Sequence, residues 1–90
     1  MNKGDLINSI AENANLSKAQ ATEALEATLA AIQTSLTSGS KAQIPGFGTF
    51  STAVRNARVG RNPATGASIN IPEKTVVKFK PGKELASSVN

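Results

Sequence analysis

Three arginines, Arg55, Arg58 and Arg61, recur at every third position, and no acidic residue lies between Glu26 and Glu73. A guanidinium fork matches phosphate oxygens two at a time, and its flat cation fits a narrow, electronegative groove. The same stretch runs on through Asn62-Pro63-Ala64-Thr65-Gly66. Pro63 is rigid, apolar and without an amide hydrogen, which suits a wedge pushed between stacked bases. Taken singly, Asn-Pro and Thr-Gly are ordinary turn chemistry, and an arginine row is also what a solvated strand carries. Together, on a stretch whose only bulky apolar residues are Val59, Ile69 and Ile71, they point to a nucleic acid. Further cations extend the set. Lys78 and Lys80 alternate with Val77 and Phe79, so they line the outer face of a strand. Lys74 precedes them, Lys83 opens the C-terminal segment and Lys3 stands near the N-terminus, each able to meet a flanking phosphate or simply to aid solubility.

Competing chemistries find little to work with. The chain has 90 residues, a net charge of +4, no histidine and no cysteine. The commonest general base, the commonest metal ligand and the thiol nucleophile are therefore missing. Gly46-Phe47-Gly48 is too short to cradle phosphates as a Walker loop does, and the six acids are scattered. No enzyme activity, metal, cofactor or small-molecule substrate is expected. The absence of cysteine suits an intracellular setting, and no apolar run is long enough for a signal peptide or a membrane span. Phe47, Phe50 and Phe79 have the chemistry of stacking platforms for single-stranded bases, but their alternation with polar residues reads as core.

The elements that must carry these residues divide by charge. Residues 1–40 hold Lys3 and Lys18 against Asp5, Glu12, Glu23 and Glu26, a charge of −2. Residues 41–90 hold Lys41, Arg55, Arg58, Arg61, Lys74, Lys78, Lys80 and Lys83 against Glu73 and Glu84, a charge of +6. The acidic half reads as two helices. Asn2 caps the first, with Asp5 at its third position, and Leu6, Ile7, Ile10, Ala11 and Ala14 recur at helical spacing. Ser17-Lys18-Ala19-Gln20 is a capping box opening the second, whose stripe is Ala21, Leu25, Leu29, Ile32 and Leu36. Gly39 stops it. The basic half reads as strands through Ala42 and Ile44, then Phe50, Thr52 and Val54, then Val77 and Phe79. Between Val54 and Val76 a structureless loop would be out of place in a small domain. A long hairpin resolves this: two runs of about ten residues, reaching roughly 33 Å from the body, mobile until something binds it.

Such a chain cannot enclose its own core. One helical stripe and one sheet face cannot cover each other and also bury the first helix, and chains this small are marginal on their own. Dimerisation answers the deficit, with Leu25, Leu29, Ile32, Leu36, Ile44, Phe47, Phe50 and Phe79 as the shared core.

These motifs have a recognisable pattern. Gly46-Phe47-Gly48-Thr49-Phe50, the Arg55/Arg58/Arg61 series, Gly60-Arg61-Asn62-Pro63-Ala64-Thr65-Gly66 and Phe79-Lys80-Pro81-Gly82-Lys83 occur in that order. Across essentially its full length the chain resembles the bacterial histone-like HU/integration host factor family, and HU more than integration host factor. The resemblance implies an α+β fold in an intertwined homodimer: a helical base (1–39), a three-stranded antiparallel saddle (41–54 and 75–82), a β-ribbon arm (55–74) and a short helix (83–89), all in one domain. It implies two arms that hold double-stranded DNA through the minor groove and bend it with little sequence preference, in the nucleoid of the bacterial cytoplasm. Pro63 then becomes the intercalating residue; Arg55, Arg58 and Arg61 contact DNA from the arm, and Lys80 and Lys83 from saddle and flank. Asn62, Lys74, Lys78 and Lys3 complete the expected DNA-binding set. Ala53 and Ala86 stand where many HU proteins have lysine, so a shorter site or weaker binding is expected. A preference for bent, nicked or junction DNA is left open. Two rival readings are a sequence-selective bender of the integration host factor type and a protein-interaction module that uses the arm; the arm's lack of apolar alternation speaks against the latter.

Overall fold

The computed structural model describes residues 1–90 and divides them into two compact units, Met1–Thr34 and Ser35–Asn90. The first contains helix α1, Lys3–Ala14, and most of helix α2, Lys18–Thr37. Both helices start where their capping residues dictate. Asn2 Oδ1 accepts from the Asp5 amide at 2.9 Å while the Asp5 carboxylate accepts from the Asn2 amide at 3.1 Å. Ser17 and Gln20 repeat the exchange, at 3.1 and 3.0 Å, so two otherwise orphaned donors are satisfied at each start. Asn15 turns the chain out of α1 in the left-handed region, φ 56°, a conformation its short polar side chain tolerates. At the end of α2 the Gly39 amide bonds to the Leu36 carbonyl and the Ser40 amide to that of Ser35, both at 3.0 Å. That pair is a Schellman motif around Gly39.

The second unit holds a sheet and a ribbon. Strands β1 (Ala42–Ile44), β2 (Gly48–Arg55) and β5 (Lys74–Pro81) form an antiparallel sheet in the order β1-β2-β5. Strands β3 (Arg58–Arg61) and β4 (Ser68–Ile71) form a separate two-stranded ribbon, and helix α3, Lys83–Ser88, follows β5. The turn from β1 to β2 is Ile44-Pro45-Gly46-Phe47, closed by Phe47 N–H to Ile44 O at 3.0 Å. Proline at its second place and a positive φ of 82° at Gly46 make it a type II turn, which calls for glycine there. Gly48 is fixed by space instead. A β-carbon there would lie 2.6 Å from the Phe79 ring and 2.7 Å from the Lys80 carbonyl. The missing side chain lets Phe79 lie over β2 and meet Phe50 and Phe47 at ring separations of 4.7 and 5.6 Å.

What the chain buries by itself is slight. Ala21 and Leu25 are its only buried apolar residues. Further along the same α2 stripe Leu29 is 51% exposed. On the sheet, Phe47 is 46% exposed, Phe79 42% and Val77 64%. No helix is long and apolar enough to cross a membrane.

The hairpin differs from the sequence expectation in one respect. Its strands are not two unbroken runs of about ten residues. Pairing runs to Arg55 opposite Lys74, stops, and resumes with Arg58 opposite Ile71. Two residues drop out on each side, Asn56-Ala57 and Pro72-Glu73, so the register is kept and no bulge is introduced. Pro72 accounts for the interruption: its ring holds φ near −65°, far from the −140° or so of an antiparallel strand.

Candidate nucleic-acid interface

Register decides which side chains share a face, because partners in an antiparallel pair project together. In the sheet, Phe50 lies opposite Phe79, Thr52 opposite Val77 and Ile44 opposite Gly48. This is the apolar face. The other carries Thr49 opposite Lys80, Ser51 opposite Lys78, Ala53 opposite Val76 and Arg55 opposite Lys74. The expected alternation of Val77 and Phe79 against Lys78 and Lys80 is therefore present, and register adds Arg55 and Lys74 to the lysine face. Thr49 and Ser51, small hydroxyl residues beside the lysines, were not singled out from sequence; only the pairing brings them there.

The cations of this face are uncompensated. The chain's one ion pair joins Lys3 Nζ to Glu26 Oε1 at 3.4 Å, between α1 and α2 in the helical unit. Both partners are well exposed, so that pair adds little stability. Arg55 and Lys74 face each other across β2 and β5 with like charge, an arrangement that costs a free sheet stability and favours an added polyanion. Lys83 begins α3 two residues after β5 ends. Lys3, included among the candidate contacts from sequence, is engaged with Glu26.

Along the ribbon the three-residue spacing has a consequence that the arginine series alone does not reveal. Arg58 and Arg61 project from opposite faces, since strand side chains alternate with period two. Arg58 shares its face with Gly60, Ile69 and Ile71; Arg61 shares the other with Val59, Ser68 and Asn70. Ile71 lies over Gly60, where a β-carbon would meet its Cδ1 at 3.0 Å. Strand β4 thus alternates polar and apolar residues, contrary to the expectation that the arm has no apolar alternation. Val59 remains 70% exposed and the ribbon has no buried residue. Beside the break, Arg55, Arg58 and Lys74 line a shallow cavity of about 250 Å³ together with Asn56, Ile71, Pro72 and Glu73.

The tip is closely bonded. The Asn62 amide donates to Ala67 O at 2.8 Å and the Gly66 amide to Asn62 O at 2.7 Å. Asn62 Oδ1 accepts from the Ala64 amide at 2.8 Å, and Thr65 Oγ1 from the Ala67 amide at 3.2 Å. Arg61 Nη1 reaches Gly66 O at 3.4 Å, and Gly66 takes a positive φ of 73°. Within this frame Pro63 is exposed, and the side-chain oxygen of Asn62 is held in the turn.

A sheet with one apolar and one cationic face, continued by a bare ribbon with a proline at its tip, defines a class of small α+β proteins built to grip a polyanion. The sequence pattern of the family described as bacterial DNA-binding protein matches residues 1–90, and the chain belongs to that family. It is 50% identical over 90 residues to DNA-binding protein HU-1 of Halalkalibacterium halodurans, with the whole of both chains covered. It is 51% identical over 89 residues to DNA-binding protein HU of Staphylococcus aureus, covering 99% of each. Among solved structures, Anabaena HU in a cocrystal with DNA superposes with a TM-score of 0.91 at 42% identity, over 99% of this chain and 97% of that one.

Proposed function

We propose that this chain is a histone-like architectural protein: two copies form a homodimer that binds double-stranded DNA with little sequence specificity, bends it and compacts it. The observation that carries the reading is the unneutralised cationic face of the sheet, Arg55, Lys74, Lys78 and Lys80, continued by a ribbon bearing Arg58 and Arg61. Its likeness over the full chain to proteins named for HU and DNA binding supports it. The ribbons enter the minor groove, which a thin two-stranded element can follow. Pro63 unstacks one base step at a cost of a few kcal/mol, offset by phosphates that the bent duplex brings to the sheet. Lys83 and Lys3 serve as flanking contacts, the latter by leaving Glu26.

Dimerisation follows from what is left uncovered. A chain with two buried apolar residues has no core of its own. The apolar sheet face and the Leu29 end of the α2 stripe become core when a second copy covers them, so folding and association are one event. The role is binding and shaping of DNA, without catalysis, on the nucleoid in the bacterial cytoplasm. Fluorescence anisotropy on a random-sequence duplex at several salt concentrations tests it. Affinity should fall steeply as salt rises, because each neutralised phosphate releases counterion; an affinity that ignores salt would remove the reading.

A further inference from the structure

Arg58 opens the ribbon just beyond the joint with the sheet. In an unbroken strand Arg58 and Arg55, an odd number of residues apart, would project to opposite sides. Pairing is suspended between them, at Asn56-Ala57 and Pro72-Glu73. Across that gap Arg55, Arg58 and Lys74 line one shallow cavity. The acid beside them, Glu73, forms no ion pair, so all three cations are left for an added polyanion. What surrounds Arg58 decides which way its side chain lies. Its cross-strand partner is Ile71, which also borders the cavity. The Ile71 side chain leans toward the tip of the hairpin: a β-carbon on Gly60 would stand 3.0 Å from its Cδ1 and 3.8 Å from its Cγ1. Ile69, opposite Gly60, takes the next place on this face. Two isoleucines thus occupy the tipward side, and the space open to the Arg58 guanidinium is at the break, with Arg55 and Lys74.

We propose that Ile71 is a positioning residue for DNA binding; the proposal rests on the DNA-binding reading above. An aliphatic side chain offers phosphate nothing, and Ile71 acts through Arg58. It directs that guanidinium back across the break, so that one cation of the ribbon and two of the sheet meet the same stretch of duplex backbone. A long arginine side chain that is already confined gives up less rotamer freedom when it meets phosphate. Gly60 belongs to the same device. Its missing side chain leaves the room into which Ile71 leans.

A double-mutant cycle separates positioning from mere support of the ribbon. Affinity for a random-sequence DNA duplex is measured at one salt concentration for wild type, Ile71→Ala, Arg58→Ala and the double variant. Ile71→Ala should weaken binding about fivefold, within the coupling expected of residues in contact. Ile71→Leu, which keeps the apolar volume, should restore most of the loss. Once Arg58 is alanine, Ile71→Ala should cost nothing further. Ile71 is only half-buried, in a ribbon without a core, so the melting midpoint should stay in place throughout. Equal losses from Ile71→Ala with and without Arg58 overturn the proposal, because Ile71 would then serve the whole ribbon or touch DNA itself. An affinity unchanged in the single Ile71→Ala variant overturns it as well. Failure of the wild type to bind the duplex overturns the DNA-binding reading and this proposal with it.

Discussion

The sheet and the ribbon are made from one antiparallel register, and they differ in what holds them. In the sheet three phenylalanines meet over Gly48, and all the cations point to the opposite side. In the ribbon arginines leave from both faces and the apolar contact amounts to Ile71 over Gly60. An element with a packed face can present its charge on the other. An element without one is free to put charge on both sides, which a strand inserted in a groove can use, since it has groove walls on either side. The break at Asn56-Ala57 and Pro72-Glu73 separates the two regimes.

The comparison is most severely tested by substitution at the tightest packing in the sheet. Gly48→Ala places a methyl group inside van der Waals contact of both the Phe79 ring and the Lys80 carbonyl. Overpacking against backbone should cost about 3 kcal/mol, seen as a large drop in the midpoint of thermal or urea unfolding; an unchanged midpoint would mean that the phenylalanine cluster does not organise the sheet. The cationic face should behave in the opposite manner. Arg55→Ala removes one of two like charges facing each other, so stability should stay within about 0.5 kcal/mol. DNA binding should weaken, and the salt slope should drop by about 1 for each copy of the chain. An unaltered slope would take Arg55 off the interface. The smallest effect on folding is expected at the tip. Pro63→Ala leaves the hydrogen bonds of Asn62 and Gly66 in place, so the melting curve should hardly change. The bend angle measured by energy transfer between duplex ends should fall more than the affinity does; equal bending would return Pro63 to a plain turn role.

Much of this was legible along the chain because it is local. Asn2 with Asp5, Ser17 with Gln20, and Gly39 each act within one turn of helix, and all three do what their spacing implies. Alternation of Val77 and Phe79 with Lys78 and Lys80 is equally local. What escaped the sequence depends on partners far apart in it. Nothing near Ala53 says that Val76 will lie opposite, and nothing near Lys3 says that Glu26 will neutralise it. A three-residue arginine spacing looks like one row until strand geometry sends Arg58 and Arg61 to opposite faces. The Leu25 to Leu36 stripe reads as one core, yet within a single chain only Leu25 of it is buried, while Ile32 and Leu36 are half-buried and Leu29 is exposed. Its remainder waits for a partner, which a sequence can imply only by its shortage of apolar bulk.

The bonded tip has a bearing on binding energetics. Residues 61–67 are tied by four backbone or short side-chain hydrogen bonds and by the Arg61 guanidinium. Fixing a backbone residue costs about 1–2 kcal/mol of conformational entropy, and for these residues that loss is incurred when the hairpin forms. The loop therefore arrives at the duplex with its shape already set. If Pro63 acts as the proposed wedge, it meets the base step on a loop already tied by these hydrogen bonds, and little of the binding free energy is diverted to ordering it.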